Sequence, residues 1–187
     1  MPLESELVQQ PVSLITPTID GMVTNFFEWR GAGSISTQPP LGAMWKADGI
    51  FTAIRFGWSL DQFVMRFDVD ETNLKKDGFD VEIVFQGLQS KYRLTFPLSL
   101  SGPGEFELSR RTTTDVWQTI GSRQSIHAQT VLELAILWKD LDLETGQTIQ
   151  LSVVVQEHGL EMARYPSQRP AVLTVPGPDF EAGMWRV

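Results

Sequence analysis

Tryptophan is the residue type in this chain with the clearest capacity for recognition chemistry. There are six, alongside two histidines and no cysteine. A pyranose ring presents a face of C–H bonds, and that face packs on an indole. Trp45 is the first candidate platform, because it ends the glycine-rich stretch Gly42-Ala43-Met44-Trp45. Trp117 is the second, flanked by Asp115 and Gln118. Trp29 is the third, within Phe27-Glu28-Trp29-Arg30. For each, the competing reading is packing in the core or a loop, since large aromatics are mostly buried. Trp58 shares a face with Ile54 and Phe56 and is assigned to the core, while Trp138 and Trp185 are assigned structural roles.

Glu28 and Arg30 would point away from Phe27 and Trp29 if this stretch is extended. Either could hydrogen-bond sugar hydroxyls. For Glu28 the favoured alternative is structural, with the carboxylate holding backbone N–H groups of the Gly31-Ala32-Gly33 turn. Those glycines imply positive φ or close approach. Carboxylates are plentiful, but a glycosidase pair must be held across a cleft at a defined separation. No pattern here supplies that, and the chain is read as a non-enzyme. Asp68, Asp70 and Glu71 could offer oxygen ligands to Ca²⁺. Their spacing falls short of a calcium loop, so a solvated acidic turn is preferred and no metal is assigned.

The elements that must position these residues read as strands. Ile50, Thr52, Ile54, Phe56 and Trp58 share one face, and Phe63, Met65, Phe67 and Val69 alternate with polar neighbours. Period two in adjacent runs predicts a hairpin. A second hairpin is predicted from Val81-Ile83-Phe85 and Tyr92-Leu94-Phe96-Leu98. Ser101-Gly102-Pro103-Gly104 reads as a loop. Short strands follow at Phe106-Leu108 and at 116–120, then strands at 132–136, 149–155, 160–162 and 172–175. One helical turn is expected at 138–141. Val12 to Ile15 reads as a short edge strand, stopped by Pro17. Residues 1–12 are read as a tail or linker, and 13–187 as a single domain. The expected fold is all-β, an antiparallel two-sheet sandwich with at most one or two short helical turns.

Net charge is −8 and the sequence pI is about 4.7. That opposes binding to a phosphate backbone, so no nucleic-acid partner is expected. It suits neutral ligands or a plain solvated surface. At 187 residues, a single domain buries roughly 70% of its unfolded surface. The start of the chain lacks the basic and apolar regions of a signal peptide, and no run approaches the roughly 18 apolar residues of a membrane span. A cytoplasmic protein without a membrane partner is the expectation.

One set of residues resembles a known family. Pro17-Thr18-Ile19-Asp20-Gly21, Phe27-Glu28-Trp29, Gly31-Ala32-Gly33 and Gly42-Ala43-Met44 occur in the order seen in the C-terminal domains that follow family 57 glycoside hydrolase catalytic domains. Phe56-Gly57, Arg66-Phe67-Asp68, Leu132-Glu133-Leu134-Ala135-Ile136, Arg164-Tyr165-Pro166 and Asp179-Phe180-Glu181 extend the match, so it covers residues 17 to 187. Trp45 stands where that family commonly has a histidine. The family is similar to DOMON and family 9 carbohydrate-binding sandwiches. The resemblance implies an immunoglobulin-like β-sandwich without catalytic machinery of its own. It would bind an α-glucan weakly or pack on a glycoside hydrolase catalytic domain. The alternative is a protein-interaction module with no sugar site. Asp20 acquires a small calcium-binding prospect by the same analogy. Some DOMON relatives bind haem through Met and His, and Met65 with His127 would be that pair here. Met65 lies on a regular apolar face, so core packing is preferred and no cofactor is assigned.

Overall fold

The computed structural model describes residues 7–38, 49–70, 77–113 and 115–184. Its strands are β1 (Val8–Gln9), β2 (Gly33–Ile35), β3 (Phe51–Trp58), β4 (Gln62–Val69), β5 (Phe79–Gln86), β6 (Lys91–Pro97), β7 (Gly102–Arg111), β8 (Gln118–Ala128), β9 (Leu132–Leu137), β10 (Thr148–Glu157), β11 (Leu160–Tyr165) and β12 (Ala171–Thr174). A 3₁₀ turn spans Trp138–Leu141, and a short helix α1 spans Phe180–Met184. No helix among the described residues is long and apolar enough to cross a membrane.

The strands form one antiparallel sheet in the order β1-β2-β3-β4-β9-β8-β7-β6-β5-β10-β11. The first half of β10 carries β12 on the same margin that β11 occupies along its second half. Alternating apolar residues give each strand one oily face. The sheet curls to bury that face against itself. Phe63 of β4 meets Phe85 of β5 edge-on at 5.2 Å. Phe67 meets Phe96 at 6.3 Å, and Phe51 of β3 meets Tyr165 of β11 at 5.5 Å. The result has the two layers of a sandwich, but the hydrogen-bond ladder is continuous where two separate sheets were expected. The long β8 carries it round the bend by pairing with both β7 and β9. Register shifts at Gly104/Phe106 and Leu108/Ser109 mark the bend; bulges of this kind increase local twist.

Several expectations need correction. Residues 7–12 are part of the fold: Val8 and Gln9 pair with β2, and the Gln10 side-chain amide donates to the Val172 carbonyl. Val12 to Ile15 is not a strand. It is held by single backbone bonds, Val12 N–H to Gly31 and Ile15 N–H to Trp58. Gly102 to Gly104, expected as a loop, opens β7. Thr52 is exposed, because a register shift between Phe51 and Ala53 turns Phe51 inward in its place.

Both faces of the centre are covered. Residues 13–32 form a strap across the outer surface of β3, β4 and β9. Ile15 and Trp29 of the strap pack with Val64 and Ala135 in a second small core, joined by Ile19 and Ala32. That is why Phe63 to Phe67 is buried at every position.

Candidate functional site

Two places on the outer surface carry concentrated polar chemistry. The first lies beneath the strap. Glu133 is 0% exposed. Its carboxylate accepts the backbone N–H groups of Asp20 and Gly21 at 3.1 and 3.0 Å, and the Trp29 indole N–H at 3.0 Å. Burial pushes the Glu133 pKa above its ordinary value, with the nearby Asp20 adding to the rise and the three donors opposing it. Arg66, its cross-strand neighbour on β4, is turned instead to Asp68, with contacts of 2.7 and 3.1 Å. Gly21 adopts φ 71°, and a Cβ there would sit 2.8 Å from the Gln129 backbone nitrogen. Its carbonyl accepts the N–H groups of Thr130 and Val131. Asp20-Gly21, Trp29 and Glu133 thus form a structural lock that closes the strap onto β9.

The lock decides the fate of three candidates. Trp29 is 4% exposed and committed to Glu133, so it presents no platform to solvent. Phe27 to Arg30 is a turn, not an extended run, since Glu28 N–H bonds to Asn25 and Arg30 N–H to Phe27. Glu28 accepts from the Thr24 hydroxyl at 3.2 Å, where a contact to the Gly31 turn was favoured, although Gly31 does adopt φ 88°. Arg30 is exposed and lies 5.9 Å from the Phe27 ring. Asp20 accepts from the N–H of Met22. Trp45 and Trp185, and Glu71 of the calcium reading, lie outside the described residues. Among the described residues, no three His, Asp or Glu side chains gather as metal ligands. Met65 points into the core, whereas His127 pairs with Glu133 on the opposite face, so the haem pair does not converge.

The second place is a groove of about 320 Å³ on the outer face of β5, β6, β10 and β11, near the lower end of the roughly 300–1,000 Å³ typical of ligand sites. Register builds it row by row. Glu82 on β5 sits beside Thr95 on β6 and Val154 on β10, which in turn faces Arg164 on β11. Val84 lies between Arg93 and Ser152, and Gln86 lies between Lys91 and Gln150. Val84 and Val154 give an apolar floor, flanked by amides and charges. Trp117, from the β7–β8 connection, leans over this face. The Arg93 guanidinium lies 4.4 Å from its ring centroid and that of Arg111 lies 6.0 Å away. Such contacts hold an indole in place at a half-exposed site. Glu82 ties the floor together, accepting from Arg93 at 3.3 Å and from the Gln156 amide at 3.2 Å. The Arg93 Nε and the Thr95 hydroxyl are buried without partners.

A second hollow of about 470 Å³ runs along β2 and β3 and is the larger of the two. Its one aromatic is Trp29, already locked away. The Trp117 groove therefore has the better-defined recognition chemistry. Of the sequence candidates, the structure brings Trp117 to a groove and leaves Trp29, Arg30 and Glu28 apart from it. The groove residues Glu82, Lys91, Arg93 and Gln156 were visible only as the polar alternates of predicted strands, a pattern shared by any solvated face.

The fold and groove together define an all-β, sandwich-like protein with an aromatic-walled polar cleft. No family model matches the chain, and no curated protein matches it. Among solved structures, a candidate carbohydrate-binding protein from Bacteroides uniformis is similar over 67% of this chain and 69% of its own, at 12% identity and a TM-score of 0.36.

Proposed function

We propose that the chain is a non-catalytic carbohydrate-binding domain and that the groove beside Trp117 is where the sugar sits. The observation that carries this reading is the pairing of a fixed indole with a hydrogen-bonding floor. An aromatic face takes the C–H side of a sugar ring, while Gln86, Gln150, Ser152 and Gln156 offer partners for its hydroxyls. The resemblance to domains beside family 57 catalytic barrels supports an α-glucan as ligand class. It also supports a glycoside hydrolase as companion, the catalytic carboxylates belonging to that barrel. Isothermal titration of maltooligosaccharides tests the site. Saturable heat is expected, and Trp117→Ala is expected to weaken binding about tenfold or more. Binding that ignores this substitution would place the sugar elsewhere.

A second reading, docking on a partner protein, has its own observation. Phe26 and Phe27 are 85% and 61% exposed at the tip of the strap, stacked edge-to-face at 5.7 Å beside the exposed Val23. Large exposed aromatics in a cluster mark interaction surfaces. If a family 57 catalytic domain is the partner, it should co-purify with this chain, and Phe26→Ser with Phe27→Ser should abolish the capture. Capture unaffected by the double substitution would remove the strap tip from the interface.

A further inference from the structure

The groove does not share the charge of the protein around it. The chain has 23 acidic against 15 basic side chains, but the groove lining has Lys91, Arg111 and Arg164 against Glu82 and Glu161. Arg164 is answered by Glu161 at 2.6 Å, and Arg93, beneath Trp117, by Glu82 at 3.3 Å. Among the described residues Arg111 is answered only by Asp115, whose side chain is 95% exposed; ion pairs so open to water are weak. Lys91 has no ion pair among the described residues.

The cations are also placed at a cost to the sheet. Lys91 and Arg111 are direct cross-strand partners, and like charges directly opposite one another destabilise a β-ladder. Arg93 lies two residues along β6, on the same face. Two guanidinium groups thus flank one indole, and Lys91, which lines the same groove, is uncompensated among the described residues. An anion held between Lys91 and Arg111 would relieve that repulsion, with the ring that carries it lying against Trp117.

We infer that this corner of the groove recognises the carboxylate of an acidic saccharide, a uronic acid unit stacked on Trp117. The inference rests on the groove being the sugar site, and within carbohydrates it favours an acidic glycan over a neutral glucan. Arg111 supplies a planar fork suited to a carboxylate, and Lys91 a mobile point charge beside it.

The test is titration of the full chain with oligouronides, with neutral maltooligosaccharides and with acetate, each at low and high salt. The oligouronide should bind best and weaken as salt rises, because attraction between exposed charges is screened. Lys91→Gln should weaken it about tenfold and flatten its salt dependence, while Lys91→Arg retains it. Trp117→Ala should weaken it too, and acetate alone should not saturate. Circular dichroism checks that each variant is folded. If maltooligosaccharides bind through Trp117 while Lys91→Gln changes nothing, the sugar site stands and the acidic ligand is overturned. If the oligouronide binds without needing Trp117, the contact is charge alone and the inference fails. If neither sugar binds, both readings fall.

Discussion

Replacing Glu133 by alanine is expected to cost about 3–5 kcal/mol. The reason is what the carboxylate leaves behind. Asp20 N–H, Gly21 N–H and the Trp29 indole N–H all lose their acceptor. Each orphaned buried donor costs about 1–3 kcal/mol. Urea denaturation gives the number, and a loss under about 1 kcal/mol would show that the lock does not hold the strap. Glu133→Gln keeps one acceptor oxygen and separates shape from charge. Burial raises the Glu133 pKa above the ordinary 4.5. A raised carboxyl pKa means the folded state keeps its proton over a pH range where the unfolded chain has lost it. The associated stability is complete below 4.5 and is lost as pH rises through the folded value. Asp20, Arg66, Asp68 and His127 face or flank the same carboxylate and are common to both proteins. The wild-type-minus-Glu133→Gln difference in stability should therefore fall with rising pH in that window. A flat difference would contradict the assignment.

Phe63→Ala is the second large effect, again about 3–5 kcal/mol. Phe63 is 0% exposed and touches three other rings. It stacks with Phe56 at 6.1 Å, meets Trp138 at 5.6 Å and crosses to Phe85 of the opposite layer at 5.2 Å. Removing it opens a cavity between layers whose backbones are tied by the ladder and cannot collapse inward. Chemical denaturation should show the full loss with little change in the denaturant slope. A cost below about 1.5 kcal/mol would mean that the two layers close over the gap.

The strands that form the sandwich were legible where apolar alternation was regular. β3, β4, β5, β6, β9 and β10 each put one oily face inward, and period two reports that directly. Of β8 only Gln118 to Ile120 falls within the strand expected at 116–120; the rest was not legible, because Gln118 to Gln124 extends past the core and carries little alternation. Register shifts also break the period along β7. The strap was illegible for a different reason. Trp29 and Glu133 are 104 residues apart, and neither residue announces the other. The one available signal was Glu133 itself, a charge amid Leu132, Leu134, Ala135 and Ile136. A charge at the centre of an apolar strand demands partners. The sequence resemblance singled out Asp20-Gly21 and Trp29, and the structure shows these residues to be fasteners. Trp117 was legible as an aromatic in a polar connection, but not the Arg93 guanidinium against its ring, which arrives from β6.

At high concentration, a strand with an open margin can recruit a strand from another molecule. This sheet offers little to recruit. One margin ends on β1, only two residues long. Gln10, just past it, is already bonded to Val172 on the margin at the far end. Along that far margin, β11 carries the Glu161–Arg164 ion pair. Charge there disfavours stacking by a neutral apolar strand. The side-chain bond from Gln10 thus occupies a carbonyl on the open side of β12 that a recruited strand would need.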